Sequence, residues 1–216
     1  MNRSRFTWVL TPLLLMAGNS LIKADTIGGA GSSCATCAGA AYTLTYSGLP
    51  ISSTATTQTF QITLNVNDSA YNGGGSFLNA VAIKVAPPAD LVSASLVSAP
   101  SGFSLIAGTG LNANGCDGGS GGFLCAQSSG NGVSVSGSPY NFVYNVTVDT
   151  GDLFTGNNAA SVKALYVDSN GNKVGALLSE NISLQQTNCP EPSSALMLGA
   201  GLLGLWLLTR KLRKQA

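Results

Sequence analysis

The sequence predicts an all-β fold, an antiparallel β-sandwich with jelly-roll-like connections, and three observations lead there. Apolar residues recur at every second position through the middle of the chain. No stretch of ten or more residues there keeps a helical period. Clusters of Gly, Ser and Asn separate the short apolar runs, as turns separate strands.

The clearest strand is Phe60-Gln61-Ile62-Thr63-Leu64-Asn65-Val66, in which apolar and polar residues alternate strictly. Tyr42, Leu44 and Tyr46 alternate with Thr43, Thr45 and Ser47 in a second. In a third, Tyr140, Phe142, Tyr144, Val146 and Val148 share one face, with Asn141, Asn145, Thr147 and Asp149 opposite. Further strands are expected at 77–85, 91–98, 103–107, 132–136, 161–168, 173–178 and 181–185. Asn170-Gly171 predicts a two-residue type I′ hairpin, a turn that needs positive φ at both positions. Residues 108–132, dense in Gly, Asn and Ser, read as one long loop. No internal period marks a solenoid or propeller.

Both ends read as processing segments around a single domain at 25–187. In residues 1–24, Arg3 and Arg5 precede an apolar run from Phe6 to Met16, and cleavage is expected after Ala24. This is a signal-peptide pattern, with an apolar run too short to span a bilayer. In residues 188–216, Cys189 precedes Pro190, Glu191 and Pro192, and a single transmembrane helix is expected over 193–209. At ~1.5 Å per residue it covers ~25 Å, the short end of a bilayer crossing. Arg210, Lys211, Arg213 and Lys214 follow, a stop-transfer cluster that stays on the cytoplasmic side.

The tripeptide, the apolar stretch and the basic cluster, in that order, resemble the PEP-CTERM sorting signal of Gram-negative bacteria. The resemblance implies one processing partner, an exosortase, which is an integral-membrane cysteine protease that recognises Pro-Glu-Pro and removes the tail. It also implies an inner-membrane intermediate, a final place at the cell surface or outside the cell, and association with exopolysaccharide or biofilm matrix. It assigns no ligand to the domain in front. The stretches 111–118 and 122–126 are similar to a segment recurring in some PEP-CTERM proteins, with no activity attached.

Composition narrows the function classes. The net charge of +1 hides a mildly acidic body, where Lys84, Lys163 and Lys173 face seven Asp and Glu180. Without basic clusters there, no nucleic-acid partner is expected. The chain has no histidine, which removes Ser-His-Asp and Cys-His catalysis and any imidazole zinc site. No enzyme activity, cofactor or metal is expected.

Cys34-Ala35-Thr36-Cys37 has redox spacing but lacks a βαβ context and nearby cations. A secreted context makes structural disulfides of Cys34, Cys37, Cys116 and Cys125 the natural reading. A Cys116–Cys125 bond would tie off the long loop, yet four cysteines allow three pairings and sequence does not choose among them. Cys189 is left over, a tail residue or a thiol for intermolecular linkage.

Tyr71, in a glycine-rich turn, and Tyr140 are the candidates for glycan contact. A competing reading is a polysaccharide hydrolase or lyase using Asp149, Asp152 and Asp168, a set that also suits calcium. A third is a structural subunit that associates with itself through strand edges.

Overall fold

The computed structural model describes residues 22–29, 31–85, 90–107, 109–118, 122–136, 139–150, 160–175 and 178–182. Among them are β1 (Ile22–Gly28), β2 (Ala41–Ser47), β3 (Ser52–Ser53), β4 (Thr57–Asn67), β5 (Phe77–Lys84), β6 (Leu91–Ser98) and β7 (Phe103–Ala107). There follow β8 (Gly110–Asn112), β9 (Gly115–Gly118), β10 (Phe123–Ser128), β11 (Val133–Ser134), β12 (Tyr140–Asp149), β13 (Ala160–Val167) and β14 (Leu178–Ile182). The described helical structure is a single 3-10 turn at Ala35–Cys37.

Two antiparallel sheets result. The first runs β1-β2-β4-β12-β6, with β3 beside β4; the second runs β14-β13-β5-β10-β7, with β11 beside β5. The chain passes from one sheet to the other between β4 and β5, β5 and β6, and β6 and β7. It crosses again on either side of β12. Period-two alternation explains why the two sheets face each other. The inward residues Tyr42, Leu44, Ile62, Leu64, Phe142 and Tyr144 of the first meet Leu78, Val81, Ile83, Leu124 and Val162 of the second in one buried cluster. Each large apolar side chain buried there stabilises the fold by about 1.5–3 kcal/mol over leaving it in water.

The outer face of the first sheet is polar and uncharged along its centre. Across adjacent strands Thr26 pairs with Thr43, Thr59 with Thr147, Gln61 with Asn145 and Asn65 with Asn141. At its β6 edge, register shifts against β12 leave Val92 and Val97 as the extra residues, both exposed.

Expected strands at 91–98 and 103–107 coincide with β6 and β7, and those at 77–85 and 161–168 are within a residue of β5 and β13. Three expectations need correction. The segment 108–132 is no structureless loop, since it contains β8, β9 and β10. β10 shows no alternation because both its faces are buried over Phe123–Ala126. Of the strand expected at 173–178, Lys173 makes one isolated bridge with Val167, residues 174 and 175 are in no strand, and Leu178 already belongs to β14. The partner of β13 is β14, which takes in Asn181 and Ile182 of the expected 181–185 strand, while residues 183–185 lie outside the described residues. No type I′ turn forms at Asn170-Gly171, because only Gly171 has positive φ. Instead the Asp168 carboxylate accepts the amides of Asn170 and Asn172 and shapes a wider turn.

β1 begins at Ile22, inside the segment read as a signal peptide, and pairs with β2 along its whole length. Cleavage after Ala24 would leave Asp25–Gly28 of that strand. Residues 1–21 and 183–216, and with them the expected transmembrane helix, lie outside the described residues.

Candidate functional site

The second sheet is covered on its outer side as well. Ala80 and Ala82 of β5 are small, and the β8–β9 hairpin settles over them, burying Leu111 and Cys116 in a second apolar cluster with Phe123, Leu165 and Val167. Two links hold the hairpin down. Cys116 is disulfide-bonded to Cys125 on β10, with Cα atoms 5.7 Å apart. One step further along β10, on the same face, Gln127 Oε1 accepts the Cys116 amide at 2.8 Å. Gly115 makes this possible, since its φ is +119° and a Cβ there would sit 2.4 Å from Gln127 Nε2.

The hairpin therefore forms one wall of a cleft of about 540 Å³. Leu165 and Val167 form a narrow apolar floor, and Ala113 and Asn114 at the hairpin tip overhang it. The opposite wall is the turn at Gly171, Asn172 and Lys173. Ser128, Ser129 and Gly130 close one end, and Asn131 Nδ2 ties their loop to the turn by donating to the Ser169 carbonyl at 2.8 Å.

Asn79 is the most buried polar group of the cleft, at 8% exposure. It is the extra residue where β5 slips past β13 between Leu165 and Tyr166, and its Nδ2 donates to the Gly130 carbonyl at 2.8 Å. Bulges commonly re-aim a side chain beside a binding site. Among the described residues, Lys173 is the one charged residue that lines the cleft. Beside it, the backbone amide of Asn172, helped by the side chain of Asn172 and by Asn170, holds the exposed Asp168 carboxyl below its ordinary range. The cleft thus offers side-chain amides, hydroxyls and one cation. Sequence reading missed it. Its signal was the cysteine pair set in glycine, which marks a tethered hairpin but not which face it covers.

The sequence-predicted residues are dispersed. Cys34 and Cys37 are bonded to each other across the 3-10 turn, and Thr36 Oγ1 donates to the Glu180 carboxylate on β14. Tyr71 is half-buried. Its ring stacks on Tyr166 at 4.0 Å, and the backbone of Gly73 lies so close that a Cβ there would touch the ring. Tyr140 packs against the core and donates its hydroxyl to the Ser134 carbonyl at 2.6 Å. Tyr140, also half-buried, continues the inward face of β12. Asp149 and Asp168 lie at opposite ends of the sandwich. Asp149 pairs with Thr57 at one end of β4, whereas Asp168 follows Val167, which pairs with Phe77 beyond the other end. The eleven-residue length of β4 between these ends corresponds to roughly 33 Å, which rules out Asp149 and Asp168 as a pair. Asp152, Cys189, Pro190, Glu191, Pro192 and the basic cluster lie outside the described residues.

A second polar group is unusual. Asp68, just after β4, is 1% exposed, and neither carboxylate oxygen has a hydrogen-bond partner among the described residues. Burial pushes its carboxyl up to about 6, against a small opposing pull from its own backbone amide. Around it stand the hydroxyls of Tyr42, Tyr71, Tyr140 and Tyr166, each raised by burial, with Tyr42 and Tyr166 bonded to each other at 2.7 Å. It faces the core rather than the cleft.

The family model for the PEP-CTERM protein-sorting motif matches residues 188–214. The chain carries a PEP-CTERM sorting signal. That signal implies processing by an exosortase and export to the cell envelope. Among solved structures, the chain is similar to a cohesin module from a Clostridium perfringens family 33 glycoside hydrolase, at 13% identity and a TM-score of 0.34. The similarity covers 58% of this PEP-CTERM chain and 84% of the module, and at that score it carries no argument. No match is found among the curated proteins.

Proposed function

We propose that this PEP-CTERM chain is a non-enzymatic surface or matrix protein. A signal peptide exports it, a helix over 193–209 holds it in the inner membrane, and an exosortase cuts it near Pro190–Pro192. Its jelly-roll-like domain then associates with exopolysaccharide at the cell surface or in the medium. The observation that carries this reading is the sorting motif at 188–214.

The competing readings have less behind them. The distance between Asp149 and Asp168 takes Asp168 out of the carboxylate set that the hydrolase reading needs, and Asp152, the neighbour of Asp149 in that set, lies outside the described residues. Self-association through a strand edge would use an end strand of either described sheet, β1, β6, β7 or β14, and of these β6 pairs irregularly with its neighbour. Two bulges break the register there, which is a common way for an edge to resist pairing.

The test is the intact mass of the protein recovered from the surface of the producing cells, followed by co-sedimentation with their purified exopolysaccharide. A mature form ending near Pro190–Pro192 that sediments with the polymer is expected. A form that keeps its basic tail would overturn the sorting step, and one that stays in the supernatant would overturn the association.

A further inference from the structure

We infer that the cleft on the second sheet binds a short stretch of glycan chain and favours one carrying an acidic sugar. This deepens the exopolysaccharide reading above and rests on it. Four amide side chains, on Asn79, Asn114, Gln127 and Asn172, line a space of about 540 Å³, a size ordinary for small-ligand sites. Asn79 Nδ2 is held by Gly130 and Gln127 Oε1 by Cys116, so Asn79 turns its Oδ1 and Gln127 its Nε2 to a ligand. The hydroxyls of a vicinal diol can donate to the one and accept from the other. Leu165 and Val167 line the base of the cleft but are only 3% and 2% exposed, so recognition falls to the polar groups around them.

The site is built rather than incidental. Asn79, more than nine-tenths buried, is locked in orientation by the Gly130 carbonyl. The overhanging wall is tethered covalently through Cys116–Cys125, so little ordering remains to be done when a ligand arrives. A peptide fits less well, because the cleft opens on a sheet face rather than an edge and offers no deep apolar pocket for anchoring side chains. Lys173 has no carboxylate partner among the described residues, which makes it the group to meet a sugar carboxylate.

The experiment is calorimetric titration of the processed, disulfide-bonded protein. Oligosaccharides from partial hydrolysis of the producing cells' own exopolysaccharide are one ligand; tetragalacturonate and maltotetraose serve as acidic and neutral probes. Asn114 and Asn172 are exposed, so the Asn114→Ala/Asn172→Ala double variant keeps its melting temperature within a few degrees. We expect it to bind the host oligosaccharides at least tenfold more weakly. The acidic probe binds more tightly than the neutral one, and Lys173→Gln removes that difference. Equal affinity for the two probes would overturn the acid preference. If the protein sediments with the polymer yet the double variant binds as well as the parent, the cleft inference fails and the surface-protein reading stands. If the parent protein ignores the polymer altogether, both fail.

Discussion

Asp68→Asn is the most informative single change. In the parent, burial pushes the folded carboxyl up to about 6 from its ordinary 3.8, and its oxygens have no hydrogen-bond partner among the described residues to offset this. Between these two values the folded chain keeps a proton that the unfolded chain has released. Raising the pH through that window therefore favours unfolding, and above pH 6 the whole penalty is present. At 1.36 kcal/mol per pH unit, the separation amounts to at most ~3 kcal/mol. Asparagine keeps the shape and removes the charge. Parent and variant should show similar stability near pH 4 and diverge steadily, the variant ending 1–3 kcal/mol more stable at pH 7, as an order-of-magnitude figure. Urea unfolding of the oxidised protein at pH 4, 5, 6 and 7 measures this directly. A variant less stable than the parent at pH 7, by an amount that grows with pH, would show that the ionised carboxylate is favourably held. The reasoning from burial would then be refuted.

Three further changes follow from the geometry. Replacing Cys116 and Cys125 together by serine should cost roughly 3 kcal/mol, the closure entropy of so short a loop. Amide hydrogen exchange should speed up in β8 and β9 and leave the inner core protected. Gly132→Ala should destabilise by about 2 kcal/mol or more, because φ there is +104° and the new Cβ would lie 2.0 Å from the Leu78 carbonyl oxygen; a thermal melt reads the loss. The two buried tyrosines should respond oppositely in urea titrations. Tyr166→Phe leaves the Tyr42 hydroxyl without its partner and costs about 1–3 kcal/mol. Tyr144→Phe removes a hydroxyl that has no partner among the described residues, so it should be neutral or stabilising.

The sheet residues were legible because one face of each outer strand meets water. Strands β2, β4 and β12 bury every second residue, and their sequences display that alternation openly. β5 and β10 carry apolar or small residues on both faces, a pattern that depends on the β8–β9 hairpin lying above them. Local sequence cannot announce a cover that arrives from elsewhere in the chain, so that segment read as a loop. The same cause hid the cleft. Its amides come from β5, β10, a hairpin tip and a turn, and only the pairing order brings them together. Tyr71 is less exposed than its surroundings in sequence imply, for a related reason. A glycine-rich flank suggests an exposed turn, but Gly73 and Gly75 are small so that the ring can lie flat against Tyr166 and its backbone.

The cross-strand threonine and amide pairs on the first sheet have a consequence for life outside the cytoplasm. An exported protein meets a medium whose salinity the cell does not set. Surface ion pairs weaken as dissolved ions screen them, whereas hydroxyl and amide bonds carry no net charge for those ions to screen. A face built from Thr59–Thr147, Gln61–Asn145 and Asn65–Asn141 therefore keeps its hold from fresh water to brine.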